Sequence, residues 1–410
     1  MTTVSKMAGS LIGSEVLRIA AEINKLKAEG KAITNFTVGD FDPKHFPIPS
    51  ELREAIVQAY EAQQTNYPPS SGIAELRESV AKFYSTRLGV PTKSSEVLVA
   101  GGARPLIYTI FTAFCDAGDK VVYPVPSWNN NHYCHLVGAR GVPVTCKAEK
   151  GFLPTAEDLA PHLRDARLLC LNSPLNPCGS TFEESELRRI CEAVLAENAR
   201  PERKNRPLYM MYDQIYWMLT HNGVRHHDPV SLVPAMKPYT VFVDGLSKYF
   251  CATGIRVGWS VLPESLMGTF SAILGHIGAW APKPEQIATA RYLDRADISS
   301  FVRDANAKLQ KRLIPLYEGV LKMKAEGLPV DALRPDGGIY LSLHLRPKGL
   351  ATNEEIRKSV LHEAGVALIP FQAFGVREDE GWFRLSMGAV AEADIPTALE
   401  SLAKYLKTRA

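Results

Sequence analysis

The centre of this chain alternates short apolar runs with stretches of helical period, and that alternation limits the folds open to it. "EVLVA" (Glu96–Ala100), "KVVYP" (Lys120–Pro124), "ARLLCLN" (Ala166–Asn172), "PLYMMYD" (Pro207–Asp213) and "YTVFVDG" (Tyr239–Gly245) are each four to eight residues long and bounded by turn residues. Strands apolar on both faces must be covered on both faces. The pattern therefore predicts an α/β fold with a largely parallel sheet between helices. The helical period is clearest in "SGIAELRESVAKFYSTRLGV", where Leu76, Val80, Phe83, Tyr84 and Leu88 share a face and Gly89 ends the helix.

After about residue 290 the character changes. "SSFVRDANAKLQKRLIPLYEGVLKMKAEG" reads as a long charged helix and "GGIYLSLHL" as a strand. "ATNEEIRKSVLHEAG" opens with Thr352 and Glu355 spaced as a capping box and closes at Gly365. "GWFRLSMG" is strand-like and "EADIPTALESLAKYLKT" helical. An amphipathic helix is expected near the start, from about Glu15 to Ala28. The expected organisation is an N-terminal arm and helix (1–46) joining a small domain, a large domain (47–290) and a smaller α+β domain (291–410).

Composition narrows the function. With 410 residues and 46% apolar content the chain can bury a substantial core. A net charge of +3 argues against a nucleic-acid or membrane-surface partner. No apolar run approaches a membrane span, and the N-terminal stretch lacks the apolar block and cleavage site of a signal peptide. The seven cysteines are scattered and never spaced as CxxC, the pattern of reduced thiols rather than of disulfides or a metal site. A cytoplasmic protein is the expectation.

In open α/β sheets ligands bind beyond the carboxyl ends of the strands, so the residues after each apolar run carry the interest. Gly101-Gly102-Ala103 opens a helix, a setting for an anion. Neither GxGxxG nor GxxxxGK[ST] occurs, which removes support for dinucleotide or ATP binding. Trp128 follows the second run, Asn176 the third and Asp213 ends the fourth. The fifth leads into "GLSKYFCATGIRVGW", with Lys248 and Arg256 and no acidic residue to balance them. Each has an ordinary structural reading: a turn, a packed indole, a helix cap, solvated cations. Together they supply an anion cradle, an aromatic face, an amide, a carboxylate and an amine. That set suits pyridoxal 5′-phosphate, whose two diagnostic partners are a lysine for the aldehyde and an acid for the ring nitrogen.

The motifs "NYPPSSGIAELR", "GGARPLIY", "NSPLNPCG", "YDQIY", "LSKYFCATGIRVGW" and "FRLS" resemble, in order and spacing, those of the class I/II aminotransferases of fold type I, aspartate aminotransferase-like pyridoxal-phosphate enzymes. The resemblance runs over nearly the whole chain. It implies a three-layer large domain with a mostly parallel sheet plus a smaller α+β domain, and a homodimer with shared active sites. It also implies ping-pong transfer of an amino group from an L-amino acid to a 2-oxo acid. Lys248 would form the internal aldimine, Asp213 would face the pyridine nitrogen, and Asn176 and Tyr216 the phenolic oxygen. Trp128 would stack on the ring. Gly101, Gly102 and Ala103 would give amides to the phosphate, joined by Ser247, Arg256 and, from a second subunit, Tyr67. Arg384 would grip the substrate α-carboxylate, with the Gly39 backbone, Trp128 and Asn176 beside it.

The sequence also departs from the family's pattern. Cys178 stands for a usual threonine and Gln214 for a usual glutamate; "GDFDPKHFPIP" is longer than the common form, and Phe371 replaces a frequent glycine. "GAWAPKPEQIA" resembles a stretch that a neighbouring subunit lends to the site. Trp280, Lys283, Arg104 and Lys44 are therefore candidates for side-chain recognition. A lyase or cyclase of the same fold, such as a carbon–sulfur β-lyase or an aminocyclopropane-carboxylate synthase, would keep the same cofactor residues.

Overall fold

The computed structural model of the chain describes residues 3–13 and 15–409. Helix Glu15–Ala28 forms where the period predicts, with Ile19, Ile23 and Leu26 buried. A two-residue strand, β1 (Thr34–Asn35), follows. Seven strands then build one sheet: β2 (Val97–Ala100), β3 (Lys120–Val125), β4 (Arg140–Thr145), β5 (Ala166–Asn172), β6 (Tyr209–Asp213), β7 (Thr240–Gly245) and β8 (Gly258–Val261). Their order is β2-β8-β7-β6-β5-β3-β4. The run β7-β6-β5-β3-β4 is parallel, and β8 lies antiparallel to both β7 and β2. Two of these strands carry no apolar run in the sequence. β4 contains Arg140 and Pro143 and lies at the sheet edge, where a proline is tolerated. β8 is only four residues long and starts at the end of the motif that contains Lys248 and Trp259.

Side-chain alternation divides the sheet between two cores. Leu98, Leu168, Cys170, Met211 and Val243 pack under helices Ala103–Phe114 and Met267–Ile277. Val99, Leu169, Leu171, Met210 and Phe242 face helices Ala74–Arg87, Glu184–Asn198 and Lys283–Arg295. Each such buried leucine or phenylalanine contributes about 1.5–3 kcal/mol, which is why five short apolar runs specify the layer. In helix Ala74–Arg87 the predicted face is the buried one, and Gly89 leaves it at φ +69°.

The C-terminal part carries β9 (Val330–Ala332), β10 (Tyr340–Leu345), β11 (Val366–Ala367), β12 (Ile369–Pro370) and β13 (Trp382–Ser386). A four-stranded antiparallel sheet runs β12-β13-β10-β9. Helix Ile298–Ala325 packs on it with Leu309, Leu313 and Leu316 buried. The capping box forms: Glu355 N–H donates to Thr352 Oγ1 at 3.3 Å and Thr352 N–H to Glu355 Oε2 at 3.0 Å. β11 pairs in parallel with β1 and so ties the N-terminal segment to the C-terminal part.

The parallel strands put Asn172, Asp213 and Gly245 at their carboxyl ends on one side of the sheet. Arg384 comes from β13 of the other sheet and reaches Asn176 there. The cleft between the two sheets is where the functional residues converge.

Candidate active site

Lys248 follows β7 by three residues. Its Nζ donates to the Gly39 carbonyl at 2.8 Å and lies 5.6 Å from the centre of the Tyr216 ring. Asp213 ends β6, and its Oδ1 accepts from the Ile215 amide at 3.1 Å. Burial pushes the Asp213 carboxyl up to about 6, against the Ile215 amide and the Lys248 charge, which hold it down. Asn172, at the end of β5, braces this corner. Its Nδ2 donates to the Asp213 carbonyl at 2.8 Å, and its Oδ1 accepts from the Asn176 amide at 2.7 Å.

At the start of helix Ala103–Phe114 both glycine amides have partners within the chain. The Gly101 amide donates to Ala279 O at 2.8 Å and the Gly102 amide to Ala100 O at 2.7 Å. Neither glycine amide is free for an anion. The donors left at this helix end are those of its first turn, from Ala103 onward. Gly102 serves another purpose. It sits at φ +97°, and a Cβ there would overlap the Arg256 guanidinium. Arg256, itself at φ +61°, donates from Nη2 to Gly101 O and from Nη1 to Thr253 O, both at 2.8 Å. A guanidinium is thus folded over a helix N-terminus, with Ser247 beside it in the same cavity. Both features favour an anion.

Arg384 is 1% exposed. Its Nη2 donates to Thr37 O at 2.9 Å and its Nη1 to Asn176 Oδ1 at 3.2 Å, while Nε is buried without a partner. The guanidinium lies 4.7 Å from the Tyr340 ring centre and 5.0 Å from that of Phe374. Burial lowers its pKa, with Tyr340 and Tyr216 opposing the shift. All its partners are neutral, so the charge lacks a counter-anion among the described residues, a costly arrangement that an incoming carboxylate relieves. Tyr340 was not legible as a site residue. Its hydroxyl hydrogen-bonds that of Tyr216 at 2.7 Å.

These groups line one cavity of about 430 Å³. It brings together Gly39, Ala103, Trp128, Asn176, Asp213, Tyr216, Ser247, Lys248, Arg256 and Arg384 from the sequence reading, and adds Asp40, Asn172, Thr253 and Tyr340. Asp40 Oδ1 accepts from Thr253 Oγ1 at 2.6 Å, which fastens the Gly39 loop to the Lys248–Arg256 loop. Arg104 also lines it, 5.5 Å from the Trp128 ring centre. Tyr67 does not. It is 83% exposed, edge-on to Trp280 at 5.3 Å, in a separate surface hollow shared with Lys283, whose Nζ is taken by Asn66. Lys44 lies outside the cavity lining as well. Phe371 and Cys178 are fully buried, Phe371 against Phe152 and Phe374, and line no part of it.

An amine, a half-buried carboxylate, a helix end flanked by an arginine and a buried arginine without a counter-ion in one cleft are the residues of the motifs quoted above, now assembled. The aminotransferase class I and II family matches residues 31–402. The chain belongs to that family. Its relatives include the aspartate aminotransferase of Geobacillus stearothermophilus, 28% identical over 99% of this chain and 100% of that one. The probable aspartate/prephenate aminotransferase of Thermus aquaticus is 30% identical, covering 99% and 100%. The crystal structure of the Rhizobium meliloti aspartate aminotransferase superposes with a TM-score of 0.91 at 25% identity, covering both chains fully. The protein is a pyridoxal-phosphate-dependent aminotransferase, and its substrates are small amino and oxo acids. Among the described residues no helix is long and apolar enough to cross a membrane.

Proposed function

We propose that this aminotransferase holds pyridoxal phosphate in the cavity between its two sheets and works by a ping-pong cycle. In that cycle the donor's oxo acid leaves before the acceptor enters. The residues present suit the cofactor. The first-turn amides from Ala103, with Ser247 and Arg256, take the phosphate; Asp213 takes the ring nitrogen; Asn176 and Tyr216 the phenolic oxygen; Trp128 the ring face; Lys248 the aldehyde carbon. When bound, the cofactor supplies an electron sink for charge developing at the substrate Cα.

The chain's own contributions follow from the geometry. Arg384 binds the α-carboxylate through its guanidinium fork, which fixes the direction of the Cα–H bond. Lys248 Nζ removes and returns the α-proton as a general base, and the Gly39 carbonyl at 2.8 Å holds that nitrogen in place. Burial raises the Asp213 pKa to about 6, so a cation standing beside it favours the ionised form. The buried, counter-ion-free Arg384, lining one cavity with Lys248 and Asp213, carries this reading.

The rest of the cavity wall is Val16, Leu17, Ile107 and Ile215 with Arg104. We propose a donor whose side chain ends in a carboxylate, met by Arg104, in line with the aspartate and aspartate/prephenate names of the relatives. The division at 46/47 and 290/291, a homodimer and a cytoplasmic setting complete the proposal. Strands β2–β8 fall inside 47–290, β1 pairs with β11, and the seven buried cysteines are free thiols. The test is a half-reaction screen of the twenty amino acids. Aspartate or glutamate alone should convert the bound cofactor to pyridoxamine phosphate with stoichiometric oxo acid. Elimination products without pyridoxamine phosphate would overturn transamination, and a preference for neutral donors would overturn the role given to Arg104.

A further inference from the structure

A buried polar chain lies behind the cavity, on the other face of the large sheet. Asp213 pairs with Val243 across β6 and β7. Alternation sends the next residues, Gln214 and Asp244, to the opposite face from Asp213. The Gln214 amide extends the ladder by donating to Val243 O at 3.0 Å, and both side chains are fully buried. Tyr84, from helix Ala74–Arg87, stands between them. Gln214 Nε2 donates to Tyr84 Oη at 3.2 Å, and Tyr84 Oη donates to Asp244 Oδ2 at 3.0 Å. Trp217 Nε1 donates to the same oxygen at 3.1 Å and the Gly245 amide to Oδ1 at 2.7 Å. On the far side, His226 Nε2 is 3.2 Å from Gln214 Oε1.

Direction matters in this chain. An amide accepts on one side and donates on the other. Gln214 accepts from His226 and donates to Tyr84, so the single Tyr84 proton is aimed at Asp244. A glutamate at this position, the residue the family pattern leads one to expect, could not donate when ionised. Two buried carboxylates would then compete for one tyrosine proton, and one would take up a proton of its own. The other titratable groups facing Asp244 are Tyr84 and Tyr249, with His226 and His227 beyond Gln214. Burial pushes Asp244 up to about 8, with the Gly245 amide, Tyr84, Tyr249 and Trp217 opposing. Burial, with the neighbouring His227, pushes His226 down to about 3, so it is neutral in the working range.

We propose that Gln214 and Asp244, joined through Tyr84, are positioning residues acting through Asp213 and Lys248. They fix the spacing of the β6 and β7 ends and keep one carboxylate, not two or none, behind the cofactor site. Asp213 precedes Gln214 directly, and Lys248 follows Asp244 by four residues, so a shift at either strand end moves one partner of the pair against the other. The inference rests on the cofactor assignment above.

The test uses Gln214→Glu, Asp244→Asn and the double variant, which still has one carboxylate and one amide around Tyr84. The readout is the pH titration of the bound cofactor's visible absorbance, with the thermal midpoint alongside. Each single variant should move the apparent pKa by about half a unit or more, Asp244→Asn downward in the range above about pH 8 where Asp244 carries its charge, because that variant removes a buried negative charge from the strand that leads to Lys248. The double variant should return to the parent curve. A single variant that does not fold while the double folds and titrates like the parent also supports the coupling. Single variants that titrate like the parent, or a double that restores nothing, would overturn it. A parent with no visible cofactor band would instead sink the cofactor assignment, so the two failures are distinguishable.

Discussion

Arg384 Nη1 donates to Asn176 Oδ1 at 3.2 Å, joining a strand of the antiparallel sheet to the loop after β5 of the parallel one. The contact places a buried cation of one sheet at the mouth of the other. Both hydrogen-bond acceptors of its guanidinium, Asn176 Oδ1 and Thr37 O, are neutral, so the charge is held in position without being cancelled.

Arg384→Lys keeps the charge and removes the fork. It should cut kcat/KM for the amino donor about a hundredfold or more, since a lysine cannot make the two-pronged pair. The visible band of the bound cofactor should survive. Steady-state kinetics with an absorbance spectrum checks both, and an unchanged kcat/KM would remove Arg384 from substrate binding.

The raised pKa of Asp213 sets a pH dependence. A carboxyl raised above its unfolded value keeps its proton longer in the folded chain, so its ionisation costs stability. That cost grows as pH rises from the ordinary carboxylate range through about 6. A cationic ring nitrogen relieves the cost only where Asp213 is ionised. Affinity for pyridoxal phosphate should therefore rise with pH through about 6 and level off above it. Asp213→Asn should bind more weakly and lose that rise. The comparison of the two isolates Asp213, because the phosphate of the ligand titrates near 6 in both. Titrations of cofactor affinity from pH 5 to 8 give the answer, and identical profiles would contradict the assignment.

Tyr67 is exposed and lies outside the Lys248 cavity, as a residue acting in a partner's site must. Lys248→Ala and Tyr67→Ala homodimers should each be impaired. Mixing and refolding them together should recover activity, because a hybrid dimer holds one site with both defects and one with neither. Absence of recovery, with hybrid dimers demonstrated, would place Tyr67 outside the active site.

The sequence made the site's reactive groups legible because they sit at the ends of apolar runs, where an α/β sheet gathers them. Lys248, Asp213 and Asn176 meet in one cleft for that reason, whereas Arg384, in the middle of β13 of the antiparallel sheet, is legible only through its motif. Groups whose role depends on a long-range hydrogen bond were not legible. Tyr340 reaches Tyr216 from 124 positions away, and nothing in "GGIYLSLHL" separates it from an ordinary strand tyrosine. Asn172 looked like the last residue of a strand, yet it braces Asp213 and Asn176 together. At Gly101-Gly102 the sequence indicated the need for glycine but not which way the amides turn. β4 is not legible because an edge strand needs no continuous apolar run, and β8 because its four residues, two of them the end of the Lys248 motif, are too few to show a period.

Lys248 carries the central claim, and it can be read directly. Borohydride reduction of the holoenzyme followed by peptide mapping should find pyridoxal phosphate fixed on the peptide containing Lys248. Lys248→Ala should lose both the label and turnover while still binding the cofactor reversibly. Label on another lysine, or full turnover by Lys248→Ala, would contradict the account.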